Sequence, residues 1–144
     1  MSRQHYAHYD PYQDAEDRNI HIFETPISHI KGYYQRTGTY AAILVDSGLT
    51  TAEKRSVLAH ELAHDRYSAG PIKKPKTLRE RLYYRQHENF IDKKAAESLM
   101  PVHAVRSFLE KNPDSTLYDL AEFFNVSEHL AHVRIEALLN EGLL

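Results

Sequence analysis

Cysteine is absent from the 144 residues, which excludes disulfides, thiolate metal sites and cysteine nucleophiles. Any metal bound here must be held by histidine and carboxylate. Long apolar runs are also missing. The longest, Tyr40 to Val45, is far too short to span a bilayer. The opening MSRQHYAHYDPYQD is polar and lacks the apolar core of a signal peptide, so the expected location is cytoplasmic. Charge of one sign is not in excess either: the net charge of −2 gives no global pointer to nucleic acid or to a membrane surface. What remains is an ordinary globular composition, 42% hydrophobic and 26% charged, with one unusual number, 10 histidines. Because so many histidines make accidental motifs easier, spacing has to carry the reading.

There is no internal repeat and no low-complexity tract. Residues 1–18, rich in Tyr, Asp and Gln, read as a flexible lead-in. Ile20 to Phe23 reads as a short strand, and Gly32–Gln35 and Thr39–Val45 flank Arg36-Thr37-Gly38 as a hairpin would. The second hairpin strand is apolar on both faces and is expected to be interior. Thr50 or Thr51 can cap a helix that runs to about Tyr67, where Gly70-Pro71 would stop it. Lys73, Lys74, Pro75 and Lys76 form a basic loop before a second long helix, from about Leu78 to Met100, that Pro101 ends. Three shorter helices are expected beyond it, the last with Ser127 as N-cap. The predicted architecture is α+β: a small antiparallel sheet packed on two long helices over residues 19–101, then a helical, helix-turn-helix-like subdomain over 102–144.

His60-Glu61-Leu62-Ala63-His64 is an HExxH motif. Residues four apart on a helix project from the same face, so two imidazoles can meet one ion, with Glu61 beside them as a general base. The alternative is a histidine pair on a solvated face. The apolar Val57-Leu58-Ala59 and Leu62-Ala63 argue against it, because buried histidines need partners. A catalytic zinc site requires a third protein ligand, and His87, Glu88 and Asp92 are the candidates on the second helix. Glu88 shares the apolar face of Tyr84, Ile91, Ala95 and Leu99, where an unpaired carboxylate is costly, whereas His87 is rotated towards the surface. Asp92, four residues on, matches the gluzincin arrangement, in which such an Asp accepts a hydrogen bond from the far nitrogen of a ligand histidine.

These residues resemble the ImmA/IrrE family of metallopeptidases. The segment Ser56 to His64 fits its HExxH helix, with Ala63 where the family usually has Gly. The Leu99-Met100-Pro101 ending fits the family's second helix and, counted backwards, puts its glutamate at Glu88. Asp92, Lys94 and Ser98 stand where the family carries Asn, Phe and Leu. The resemblance implies one Zn2+ per chain and endopeptidase activity. It also implies a protein substrate, a helix-turn-helix repressor whose cleavage relieves repression in phages or mobile elements. In that reading His60, His64 and Glu88 hold the metal and Glu61 is catalytic. Asp92 orients a ligand, and His103 or Tyr84 stabilises the oxyanion. The competing reading is a non-proteolytic regulator that binds a repressor or DNA, with a structural zinc.

Leu120 to Ser127 looks like the first helix and turn of a helix-turn-helix, with Arg134 on the would-be recognition helix. Charge argues against DNA: from Ser115 to Leu144 the only Lys or Arg, Arg134, faces five acids, a surface that repels phosphate.

Overall fold

The computed structural model describes residues 9–68 and 74–144. Gly70-Pro71 and Lys73, read above as a helix stop and part of a basic loop, lie outside the described residues, as do 1–8.

Residues 9–18 are not a loose lead-in. Pro11–Asp17 forms helix α1, with Pro at its start and the Asp10 side chain capping it by accepting from the Tyr12 amide. Ala15 is fully buried, and Arg18 ties the end of α1 to the next long helix through the Leu62 carbonyl and Asp65. The short-range pattern of a seven-residue helix was too weak to outweigh a polar composition.

Three strands follow: β1 (Ile20–Thr25), β2 (Gly32–Thr37) and β3 (Tyr40–Asp46). Gly38, with φ of 63°, opens a two-residue turn between β2 and β3, which pair antiparallel from Thr37↔Tyr40 to Gly32↔Val45. The expected antiparallel sheet is mixed, because β1 pairs with β3 in parallel, from Ile20↔Ala41 to Thr25↔Asp46. The reason is strand order. β3 inserts between the other two, giving β1-β3-β2, and no local signal in β1 specifies that non-sequential pairing. β3 is therefore interior and alternates buried Ala41, Ile43 and Val45, while β2 is an edge.

Helix α2 (Thr51–Tyr67) begins in a capping box: Thr50 accepts from the Glu53 amide, and Glu53 reaches back to the Thr50 amide. Helix α3 (Leu78–Leu99) is capped by Thr77 and ends where Pro101 cannot continue it. Helices α4 (Val102–Lys111), α5 (Leu117–Phe124) and α6 (Glu128–Asn140) complete the chain. Two apolar clusters organise these elements. One joins α1, the sheet and the face of α2 bearing Leu58 and Leu62. The other joins Ala59 of α2 to Ala95, Ala96 and Leu99 of α3 and to the cores of α4, α5 and α6. Helix α2 thus lies between the sheet and the remaining helices. Among the described residues, no helix is long and apolar enough to cross a membrane.

Candidate metal and catalytic site

His60 and His64 stand one turn apart on α2, their ring centroids 4.9 Å apart. Helix α3 packs alongside and brings Glu88 between them. Oε1 of Glu88 lies 3.6 Å from His60 Nε2, and Oε2 lies 2.7 Å from His64 Nε2. One ligand atom from each of His60, His64 and Glu88 falls within 4.8 Å of the others. Oε2 of Glu88 is buried and, among the described residues, has no hydrogen-bond partner. A buried carboxylate oxygen without a donor is costly. Here it points into a set of two imidazole nitrogens, which is the donor chemistry that zinc and similar divalent ions take. The residues fit a metal ion.

The far nitrogen of each histidine is held as well. His60 Nδ1 donates to Asp92 Oδ1 at 2.7 Å, so in the neutral ring the lone pair falls on Nε2, the nitrogen that faces Glu88. His64 Nδ1 is 2.7 Å from Ser68 Oγ, and that hydroxyl is 2.7 Å from His87 Nε2. If His64 donates from Nδ1, Ser68 accepts and gives its own hydrogen to His87, so His64 Nε2 is also left as a lone pair. His87, expected as a surface residue, is half-buried behind His64 and stacks on Phe90. Lys94, where the family pattern has an aromatic, sets its ammonium 5.5 Å from the ring centre of Tyr67 and 5.6 Å from that of Phe90.

The site's electrostatics follow from these contacts. Burial raises the Glu61 carboxyl pKa, and the nearby Glu88 adds to this, while His60 and His64 pull the other way. Burial also pushes Glu88 and Asp92 upwards, but their histidine partners outweigh it, and both end below the usual carboxylate range. Burial of His60 favours the neutral ring. The hydrogen bond to Asp92, the nearby carboxylate of Glu88 and the charge of Glu61 overcome that, raising its pKa to about 10. A metal-free site thus keeps a proton on His60 that metal binding has to displace.

Glu61 lines a groove of about 310 Å³ that runs between the edge strand β2, α2 and the start of α6. His60, Glu61, Asp92 and His129 line it, with Gly32 on the strand side. Gly32 is required by close approach: a Cβ there would fall 2.3 Å from Val57 Cγ1 and 3.8 Å from Glu61 Cγ. Of the two residues weighed for an oxyanion role, Tyr84 is beside the donor set, its hydroxyl donating to Glu88 Oε1 at 3.4 Å. His103 is exposed in the first turn of α4 and does not line the groove. A different histidine from the C-terminal helices does: His129 Nε2 sits 3.0 Å from Asp92 Oδ2. No motif marks His129, because its partner is 37 residues away and only the packing of α6 on α3 joins them.

Arg134, the one Lys or Arg of the would-be recognition helix, is 5% exposed and donates from Nε to the Met100 carbonyl at 2.7 Å. It caps the end of α3 and is withdrawn from any phosphate.

The chain matches Peptidase_M78, the IrrE N-terminal-like domain, over residues 15–136. It is also 31% identical over 129 residues to "Uncharacterized immunity region protein 2" of Bacillus phage phi105, a match covering 87% of this chain and 78% of that protein. A histidine pair and a glutamate converging on one point, in a chain that follows this pattern over most of its length, identify it as a member of the Peptidase_M78 (IrrE N-terminal-like) family of peptidases.

Proposed function

We propose that the protein is a zinc-dependent endopeptidase acting in the cytoplasm, with His60, His64 and Glu88 as zinc ligands and Glu61 as general base. The observation that carries the reading is the convergence of His60, His64 and the Glu88 carboxylate, one oxygen of which is buried, on a single point. When bound, zinc would supply Lewis acidity, lowering the pKa of water so that it can give up a proton near neutral pH, and offsetting charge on the carbonyl oxygen. Glu61, lining the groove and with its pKa raised by burial, takes the proton of the attacking water. It then delivers that proton to the leaving amine. Asp92 and Ser68 hold the two imidazoles in the tautomer that presents Nε2. The Tyr84 hydroxyl is the side-chain donor offered to the developing oxyanion, since it reaches the Glu88 carboxylate. The edge of β2 beside the groove suits a substrate in extended conformation.

The substrate we infer is a helix-turn-helix repressor of the phage or mobile-element kind, cleaved so that silenced genes are released. Support comes from the resemblance noted in the sequence and from a relative named for an immunity region. The test is incubation of purified protein with such repressors and mapping of fragments by mass spectrometry. Cleavage at one site, lost on chelation and restored by zinc, is expected. Intact repressors in the presence of zinc would refute the proposed substrate.

A further inference from the structure

The start of α6 is pinned to the long helices by contacts that a freely presented recognition helix does not need. Asn125, in the left-handed conformation at the turn, offers its carbonyl to Arg55 Nε of α2 at 3.1 Å. The Ser127 amide donates to Ser56 Oγ of α2 at 2.9 Å, and Ser56 is buried one turn before His60. Leu130 and Ala131 are buried in the core shared with α3, and Arg134 binds the end of α3. These fixings leave one polar side chain of the first turn of α6 directed at the site. His129 meets Asp92 Oδ2 at 3.0 Å, while Asp92 Oδ1 holds His60. The His129 side chain is 68% exposed, so as an ion pair it contributes little to stability. Its position is better explained by what it does to Asp92.

We infer that His129 is a positioning residue of the metal site: by donating from Nε2 to one oxygen of Asp92, it fixes the carboxylate whose other oxygen orients His60. A carboxylate held at one oxygen only can rotate, and His60 would rotate with it. Held at both, it keeps the His60 lone pair on the point shared with His64 and Glu88. In this chain the helix-turn-helix-like segment therefore completes the peptidase site instead of reading DNA. The inference rests on the reading of His60 as a metal ligand.

Cobalt(II) titration of the full chain, followed by its visible absorption, tests the two ideas separately. Wild type is expected to give the intense bands of a four- or five-coordinate site. His129→Ala should alter those bands and weaken affinity by roughly 3- to 10-fold, below the roughly 10- to 100-fold expected of Asp92→Ala. His129→Gln, which keeps a donor, should restore much of the loss. The double variant His129→Ala/Asp92→Ala should bind no more weakly than Asp92→Ala alone, because the two act in series. His132→Ala is the control, since that exposed histidine on the same helix pairs within α6, with Glu136. Circular dichroism should show an unchanged fold for His129→Ala. Wild-type bands that His129→Ala leaves unaltered in shape and affinity would overturn the inference while leaving the metal site standing. A wild type without cobalt bands would overturn both.

Discussion

Glu61 and Glu88 are both carboxylates beside the same two histidines, yet their surroundings give them opposite tendencies. Glu88 is drawn towards the charged form by His60 and His64, and Glu61 is driven by burial towards the neutral form. The first suits a ligand and the second a group that shuttles protons. Glu61→Gln is accordingly expected to lower cleavage by about 10²- to 10⁴-fold while leaving the fold unchanged, measured as kcat on a mapped substrate. The His60 pKa carries a second expectation. It rises on folding from 6.5 to about 10, so in chelated protein its stabilising contribution is complete below 6.5 and is lost as pH rises towards 10. Zinc requires the neutral imidazole, so the stabilisation conferred by added zinc should grow over the same range. Thermal melts with and without zinc from pH 6 to 9 should therefore separate steadily; parallel curves would contradict a metal at His60. The spacing of His60 and His64 and the apolar setting of Glu88 were legible in the sequence. Ser68 and His129 were not, because a serine after a helix and a histidine in a distant one acquire meaning only when packing sets them against His64 and Asp92.

Among elements, β2 and α2 set the shape of the groove. Gly32 lets the edge strand lie against α2, where a methyl group would collide with the stiff, β-branched Val57. Gly32→Ala should cost about 1–3 kcal/mol in urea unfolding and should also raise KM, because the strand that borders the groove is displaced. Val57→Ala in the Gly32→Ala background should recover part of the stability by removing the colliding methyl. The element boundaries were largely readable, since Thr50, Pro101 and Ser127 mark helix ends by local chemistry. The parallel pairing of β1 was not, because it depends on β3 entering between β1 and β2, a long-range choice no local pattern encodes. Helix α1 was hidden for a different reason: its fully buried residues are just Pro11 and Ala15, within a polar stretch.

At the scale of the whole molecule, one apolar cluster runs from Ala59 on the HExxH helix through α3 to Leu138 on α6. The C-terminal helices are thereby coupled to the site, and Arg134 is one of the fastenings. Arg134→Ala would leave the Met100 carbonyl without its donor, and a loss of about 1–3 kcal/mol is expected in chemical unfolding, with reduced zinc affinity following from the looser α3–α6 contact. The acidic charge of this segment was readable from the sequence. That its one arginine is buried was not, since a lone base on a helix looks solvent-facing until its neighbour is known. The central claim, that His60, His64 and Glu88 hold a metal while Glu61 does not, is tested most directly by metal content. Purified wild type, Glu61→Gln and Glu88→Ala should be loaded with zinc, passed through a desalting column and analysed by plasma emission. One zinc per chain in wild type and in Glu61→Gln, and little in Glu88→Ala, is the predicted result. Zinc lost from Glu61→Gln, or fully retained by Glu88→Ala, would contradict it.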